Sequence, residues 1–242
     1  MLTYLLKARQ LLQHWHPYTQ WLPYTCPVCK AISNERICTR CTQSLPTIKA
    51  QCQQCGLPLY PNEGDTDKLY CGHCLSKKPY FDRCISPFHY KPPINQFITD
   101  LKFHQKLYYA NLLGHWLLEK INQQNTPLPE CIIPVPLHPK RLRQRGFNQA
   151  LEIAKPIARA LSLPLEPFCC QRVIATSPQM QQNKQARLKN IKNAFKINQP
   201  VSYQHIAIVD DVMTTGSTVN ELAQKFRQCG VEQIQIWSVA RS

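Results

Sequence analysis

The stretch Ile206-Ala-Ile-Val-Asp-Asp-Val-Met-Thr-Thr-Gly-Ser-Thr218 decides the fold of this chain of 242 residues. Its first four residues are apolar and mostly β-branched, which predicts a short buried strand of a parallel sheet. After a polar turn, apolar residues return at helical spacing at Val219, Leu222, Ala223 and Phe226. The stretch therefore predicts a strand, a turn and a helix in direct succession.

The polar turn suits a phosphate group. Backbone N–H groups at the start of a helix have no intrahelical partner, and the helix dipole adds positive charge there. The residues of the turn that we expect to bind phosphate are Thr214, Thr215, Gly216, Ser217 and Thr218. The carboxylates of Asp210 and Asp211 come just before the turn and suit the hydroxyl groups of a ribose. The alternative is an ordinary strand, turn and helix in which these residues only act as caps.

Residues 206–218 resemble the phosphoribosyl pyrophosphate signature of type I phosphoribosyltransferases. The resemblance implies a doubly wound α/β domain, with a mostly parallel sheet and helices on both faces. It implies that Asp210 and Asp211 hold the ribose hydroxyls, which makes them the candidate catalytic pair, and that residues 214–218 bind the 5′-phosphate. It also implies Mg²⁺, which in that family bridges the ribose hydroxyls and the pyrophosphate.

The rest of the second half alternates between strand and helix patterns, which favours a parallel sheet. The predicted strands cover residues 85–90, 131–135, 168–174, 193–197, 206–209 and 233–239. One helix is predicted from Asn95 to Ile121, and another from Phe147 to Leu161, which Pro156 is expected to kink or break. The polar segment 176–192 is interpreted either as a lid over the site or as a disordered loop.

Eight of the 13 cysteines form four CxxC pairs. A gap of two residues lets both thiolates of a pair reach one tetrahedral metal ion, so four pairs predict two structural zinc sites in a double zinc ribbon. The simplest assignment is one site with Cys26, Cys29, Cys38 and Cys41, and a second with Cys52, Cys55, Cys71 and Cys74. Iron–sulfur clusters, disulfides and redox-active pairs are the alternatives. The cysteines expected to be small buried residues are Cys84, Cys131, Cys169, Cys170 and Cys229.

The chain is strongly basic, with 29 Lys and Arg against 14 Asp and Glu, a formal net charge of +15. Two zinc–thiolate sites, each contributing about −2, would leave about +11. This charge favours an anionic partner, either nucleic acid or a polyphosphate, although solubility alone is a sufficient reason for it. The basic loop predicted from Pro136 to Arg145 follows a strand, and Arg145 is the residue that we expect to contact pyrophosphate.

Three parts are expected along the chain: a helical leader at 1–22, a double zinc-ribbon domain at 23–82 and a phosphoribosyltransferase-like domain at 83–242. No apolar run reaches the roughly 18 residues that span a bilayer, and the N-terminus lacks the shape of a signal peptide. We therefore expect no membrane insertion and a cytoplasmic location, where thiols stay reduced.

Several further runs accompany the zinc pairs and the signature: Pro134-Val-Pro136, Arg145-Gly-Phe-Asn-Gln149, and the segment from Thr176 to Phe195. Together they resemble the ComF family, with its ComFC-like and GntX-like members, over nearly the whole chain from Cys26. The resemblance implies a role in competence and natural transformation, where single-stranded DNA is handled beside a competence helicase. One departure is His104-Gln105-Lys106, where the family often has a Gly-Asp turn.

Three functional hypotheses follow. The chain could bind phosphoribosyl pyrophosphate as a ligand while its basic surface holds single-stranded DNA. It could be an active phosphoribosyltransferase that passes the ribose to a nucleobase-like acceptor, which the sequence does not identify. It could also be a structural adaptor in which the pocket has no remaining role.

Overall fold

A computed structural model of the chain describes residues 23–60, 70–175, 193–198 and 201–242. The predicted helical leader (1–22) and the polar segment 176–192 lie outside the described residues. The chain folds into two compact units, Met1–Leu45 and Pro46–Ser242. In the part of the chain that is described, no helix combines the length and the apolar content that crossing a membrane requires.

In its described residues, 23–45, the smaller unit contains two short strands and one short helix. Strands β1 (Tyr24–Thr25) and β2 (Ile32–Ser33) pair in antiparallel fashion, and helix α1 (Thr39–Gln43) follows. Its buried residues in the described range are Cys26, Ile37, Cys41 and Leu45. These four residues bury little apolar surface for residues 23–45, and segments with so little buried surface are where structural metals occur.

The described residues of the larger unit contain the other elements named here. Its helices are α2 (Gly72–Ser76), α3 (Ile94–His104), α4 (Tyr108–Asn122), α5 (Pro139–Arg145), α6 (Gln149–Leu161) and α7 (Ser217–Gln228). Its strands are β3 (Arg83–Ile85), β4 (Phe88–His89), β5 (Cys131–Pro134), β6 (Cys170–Arg172), β7 (Phe195–Ile197), β8 (His205–Met213) and β9 (Gln233–Arg241). The main sheet has the order β3-β9-β8-β5, β4 also pairs with β9, and every pairing in it is parallel.

Helices cover both faces of this sheet, which confirms the predicted fold class. Successive residues of a strand point to opposite faces. On one face, Ile206 and Ile208 of β8 pack in a buried cluster with Leu222 and Phe226 of α7. Helices α4 and α6 pack against each other and against β9 and β8, where Val209 is fully buried. The carboxyl ends of the parallel strands then meet at one edge, where ligands bind in open α/β sheets.

The helix predicted from Asn95 to Ile121 is wrong as a single element. It is divided into α3 and α4, because Gln105 adopts a left-handed backbone conformation with φ of 55°. Asp100 stabilises this turn, since its side chain accepts hydrogen bonds from His104 Nδ1 at 2.8 Å and Lys106 Nζ at 2.9 Å. The apolar spacing continued across the break, so the periodicity alone did not reveal it.

Other predicted boundaries also changed. The basic loop predicted from Pro136 to Arg145 contains α5, which begins at Pro139, a position where proline favours a helix start. Helix α6 runs on through Pro156 without a break. Within the described part of the chain, strands β6 and β7 pair only with each other, so they form an antiparallel ribbon outside the main sheet.

The predicted domain boundaries at 22/23 and 82/83 stay predictions. The chain divides into its two compact units between Leu45 and Pro46, so the two groups of cysteines lie in different units. The second group belongs to the larger unit because Cys52 and Cys74 are part of the buried cluster that includes sheet residues such as Ile234.

Candidate functional site

The acidic pair lies inside β8 at the carboxyl edge of the sheet. The strand was predicted to end at Val209, yet pairing with β9 continues to Met213, and Asp210 lies opposite Ser238. Asp210 is 9% exposed and Asp211 is 4% exposed. Two carboxylates this deeply buried require nearby cations or hydrogen-bond donors, because burying a charge without a partner is costly.

Partners for the pair come from two other elements. Lys102 of α3 forms an ion pair with Asp211. The side chain of Gln149, the first residue of α6, also favours the ionised form of the Asp211 carboxyl and so lowers its pKa. Within the pair, the backbone N–H of Asp211 donates to Oδ1 of Asp210 at 2.9 Å. Asp211 is thus the member of the pair that is held by positive charge.

The two carboxyl groups have opposite pKa shifts. Burial, followed by the charge of Asp211, raises the pKa of Asp210 well above its usual 3.8. Burial also opposes ionisation of Asp211, but Lys102 and hydrogen bonds from its neighbours outweigh that effect and lower the pKa of Asp211. As the pH rises, Asp211 therefore ionises first and Asp210 is the member of the pair that keeps its proton longer.

This arrangement predicts opposite pH effects for the two single asparagine variants. Because folding raises the pKa of Asp210, its contribution to stability is present below pH 3.8 and is lost as the pH rises through the folded value. We expect Asp210→Asn, which mimics the protonated acid, to gain stability relative to the unmodified protein as the pH rises. The lowered pKa of Asp211 has the reverse sign, because its contribution to stability is present above pH 3.8 and is lost as the pH falls through the lower folded value. Asp211→Asn should therefore lose stability relative to the unmodified protein as the pH rises towards 3.8, with no further change from this group at higher pH.

Urea unfolding at several pH values between about 3 and 8, without Mg²⁺ or ligand, measures the Asp211 effect at the acidic end and the Asp210 effect above it. Each variant serves as the control for the other, since the two differ only in which carboxyl becomes an amide. Parallel stability curves for the two variants would contradict the assignment of the proton to Asp210.

The run Arg145-Gly-Phe-Asn-Gln149 places its residues at this edge through local backbone geometry. Gly146 ends α5 with a φ of 84°, which favours glycine. Asn148 caps α6, accepting from Ala150 N at 3.0 Å, and its amide nitrogen donates to the carbonyl of Val135 just after β5. The hydrogen bond between Asn148 and Val135 holds the start of α6 beside the sheet. Gln149 therefore lies near Asp211 and accepts a hydrogen bond from Arg145.

A basic cavity of about 260 Å³ lies beside the acidic pair. The residues that line it are Lys102, Phe103, Gln105, Arg141, Gln144 and Arg145. The Arg145 guanidinium lies 5.6 Å from the centre of the Phe103 ring, a cation–π distance. Burial lowers the pKa of Arg145, although Asp211 partly offsets that shift. Three cations, Lys102, Arg141 and Arg145, line this cavity, so it suits a polyphosphate.

The phosphate loop, which we define as residues 214–218, follows β8 directly. Thr214 and Thr215 are exposed, while Gly216 is buried and has a φ of 76° at the start of α7. The Thr215 and Ser217 hydroxyls lie 2.7 Å apart, and Ser217 N donates to Thr215 Oγ1 at 3.3 Å. The predicted succession of strand, turn and helix is confirmed. Beyond Ser217, the first turn of α7 has N–H groups without an intrahelical partner, which could donate to an anion.

The eight CxxC cysteines form two groups of four, as predicted. One consists of Cys26, Cys29, Cys38 and Cys41, and the other, the second metal group, consists of Cys52, Cys55, Cys71 and Cys74. Within each group all sulfur atoms lie within 4.8 Å of one another. Four thiol donors at that spacing fit a tetrahedral zinc ion, with no position left for a substrate.

Of the other five cysteines, four are buried as expected, but Cys229 is exposed, which corrects that prediction. Cys229 follows the last residue of α7 and therefore lies at a helix end rather than on its apolar face.

Sequence reasoning missed two partners of the acidic pair. Lys102 carried no signal as an ion-pair partner, because α3 is brought to the sheet edge by tertiary packing alone. Arg172 of β6 also lies near the pair, since Asp210 acts on its pKa, which burial lowers overall. Arg172 lies outside every motif recognised in the sequence, so nothing there predicted that it would lie near the acidic pair.

Comparison with known proteins gives three kinds of match. The family model for the double zinc ribbon domain matches residues 19–75. The DNA utilization protein YhgH of Salmonella typhi is 36% identical over 229 residues, covering 91% of this chain and 98% of that protein. Competence protein F of Haemophilus influenzae is 32% identical over 229 residues, covering 90% of this chain and 97% of that protein.

Among solved structures, a purine phosphoribosyltransferase from Pyrococcus horikoshii superposes with a TM-score of 0.34 at 16% sequence identity. The superposition covers 56% of this chain and 84% of that one.

Proposed function

Since the chain belongs to the ComF family of competence and DNA-utilization proteins, we propose that it binds phosphoribosyl pyrophosphate with Mg²⁺ and handles single-stranded DNA in the cytoplasm. The observation that carries the proposal is the meeting of three features at one sheet edge. These are the buried pair Asp210 and Asp211, the phosphate loop, and the basic cavity beside Lys102 and Arg145.

Each feature suits one part of the ligand. The ionised Asp211 can accept hydrogen bonds from ribose hydroxyls, and Asp210 can do so after giving up its proton. The N–H groups at the start of α7 and the hydroxyl groups of Thr215 and Ser217 suit the 5′-phosphate. Lys102 and Arg145 suit the pyrophosphate, whose charge Mg²⁺ would share, with the acidic pair as the nearest oxygen ligands for the metal.

Calorimetry of phosphoribosyl pyrophosphate with Mg²⁺ tests this ligand. We expect one binding site per chain, with heat that is absent when ribose alone replaces the ligand, since ribose lacks both phosphate groups. Binding of inorganic pyrophosphate as tightly as of the complete ligand would indicate a site for polyphosphates in general and would contradict the role given to the acidic pair.

The role in DNA handling rests on the family and on charge. Proteins that bind single-stranded nucleic acid combine cations, which contact the phosphates, with aromatic rings, on which bases stack. This chain has both, in its net charge of +15 and in the exposed Phe103 ring beside the basic cavity. The names of the relatives refer to DNA utilization and to competence. A cytoplasmic location agrees with two groups of four thiols, which bind metal only when they are reduced.

Phe103→Ala is expected to weaken binding of single-stranded DNA by about 1–3 kcal/mol, the usual contribution of one stacked base. Phe103 is 69% exposed, so the change removes a stacking surface without opening a cavity in the core. Fluorescence anisotropy with a labelled oligonucleotide at two salt concentrations gives the measurement, and affinity should fall steeply as salt increases.

Phe168→Ala is the matched control, because Phe168 is 81% exposed and is not part of the basic cavity. Equal losses in the two variants, or an affinity that does not depend on salt, would contradict a DNA surface at this edge.

Turnover is the second candidate function, and the same geometry favours it. Cations placed where pyrophosphate would leave would stabilise the negative charge that develops on the leaving group, and acids beside the ribose would stabilise a cation forming at C1. The acceptor would then be a nitrogen nucleophile of the nucleobase class. Release of pyrophosphate in the presence of individual nucleobases tests this function, and the absence of release with every base would leave binding as the role of the site.

A further inference from the structure

Arg241 connects the second metal group to the phosphate loop. It lies at the end of β9 and is only 6% exposed. Its Nε donates to the carbonyl of Cys55 at 3.1 Å, and its Nη1 donates to the carbonyl of Met213 at 3.0 Å and to that of Thr214. One buried guanidinium therefore holds the backbone of a metal-ligating cysteine and the backbone that enters the phosphate loop.

A second connection consists of closely packed small groups and sulfur atoms. A Cβ on Gly56, the residue after Cys55, would lie 2.8 Å from Cys84 Sγ, so the two are in close contact. Cys84 Sγ lies 3.5 Å from Met213 Sδ. On the far side, a Cβ on Gly216 would lie 2.7 Å from Met213 Cε. A continuous series of close contacts therefore runs from Gly56, beside Cys55 of the second metal group, to Gly216 of the phosphate loop.

The two connections lie around one cavity of about 410 Å³. Its walls include Cys55, Cys71 and Cys74 on one side and Thr214 to Ser217 on the other, with Arg241 between them. All of these residues belong to the larger unit. Cysteines of the second metal group and residues of the phosphate loop therefore line the same cavity.

We propose that the metal bound by the second metal group positions the phosphate loop, with Arg241 as the positioning residue, so that metal binding and anion binding at the loop are coupled. The effect on phosphoribosyl pyrophosphate rests on the proposed function, whereas the effect on the loop does not. When the metal is lost, the segment Cys52–Cys55, which includes the Cys55 carbonyl, is no longer held by metal coordination. Arg241 then loses an acceptor and no longer fixes Met213 and Thr214.

Coupling of this kind is reciprocal. If the metal increases the affinity for an anion by a given factor, the anion increases the affinity for the metal by the same factor. The first group of cysteines, in the smaller unit, makes no part of these contacts, which lie within Pro46–Ser242. The first group therefore serves as a control, because the contacts described above join the loop to the second metal group.

Hydrogen exchange of the amides of residues 214–217, measured without ligand, tests the coupling directly. We expect faster exchange there in Cys74→Ser, which loses one ligand of the second metal group, and in Arg241→Met, which keeps the metal and the apolar stem. Cys26→Ser and Arg159→Met, a change at an exposed arginine of α6, are the matched controls and should exchange as the unmodified protein does. Circular dichroism checks that Cys74→Ser retains its folded sheet.

Calorimetry with phosphoribosyl pyrophosphate and Mg²⁺ on the same proteins extends the test to the ligand. We expect the affinity to fall about tenfold in Arg241→Met, the equivalent of about 1.4 kcal/mol, and to be unchanged in Cys26→Ser. If the loop loosens in Arg241→Met while the unmodified protein binds no ligand, the proposed function fails and the coupling stands. Unchanged exchange at residues 214–217 in both Cys74→Ser and Arg241→Met would overturn the coupling.

Discussion

Changing Asp210 and Asp211 together to asparagine is expected to weaken the binding of phosphoribosyl pyrophosphate by at least about 100-fold. A hydrogen bond to a charged group contributes about 1.5–3 kcal/mol, and two ribose hydroxyls would lose their charged acceptors. Asparagine keeps the shape of each side chain, so the loss reports on charge rather than on packing. Calorimetry of the double variant with Mg²⁺ present gives the measurement.

The control for this variant lies at the opposite edge of the sheet. Asp82 accepts hydrogen bonds from Ile234 N at 2.9 Å and from Arg227 Nη2 at 2.6 Å, near the start of β9. Asp82→Asn removes a carboxylate of the same kind and should leave the affinity for the ligand unchanged. If the double variant at Asp210 and Asp211 binds as tightly as the unmodified protein, the acidic pair does not hold the ribose.

Cys26→Ser is expected to unfold the described part of the smaller unit, residues 23–45. A structural zinc contributes an apparent binding free energy of about 10–16 kcal/mol at neutral pH, which so few buried residues cannot replace. The zinc content should fall from two ions per chain to one, and proteolysis should cleave within 23–45 while the larger unit resists. Metal analysis and limited proteolysis measure the two effects.

Cys229→Ser is the matched control for this change, because Cys229 is exposed and belongs to neither group of four. It should keep two zinc ions and the cleavage pattern of the unmodified protein. If Cys26→Ser retained both metal ions, the grouping of Cys26 with Cys29, Cys38 and Cys41 would be wrong.

The parts of the fold that the sequence predicted well are those in which local pattern and tertiary structure agree. The strand, turn and helix of 206–218 carry apolar residues at strand and then helical spacing, so they were located correctly. The CxxC pairs are similarly local, because two residues between cysteines suffice to bring both sulfur atoms to one ion. The grouping into sites of four followed from proximity along the chain.

Tertiary packing explains what the sequence did not reveal. Gln105 ends a helix in a left-handed conformation that glycine or asparagine would have signalled, but glutamine does not. Lys102 reaches Asp211 only because α3 packs at the sheet edge, more than a hundred residues away along the chain. The length of β8 also depended on a partner, since β9 continues the pairing past the two carboxylates.

The shared core of the second metal group and the main sheet determines where the chain can be shortened. Phe81 and Cys84 pack in the same buried cluster as Cys52 and Ile236, so a fragment starting at residue 83 would expose apolar surface and tend to aggregate. A fragment starting at Pro46 keeps that cluster complete. Fragments made to express the ligand-binding part alone should therefore start before Cys52, so that they include the whole second metal group.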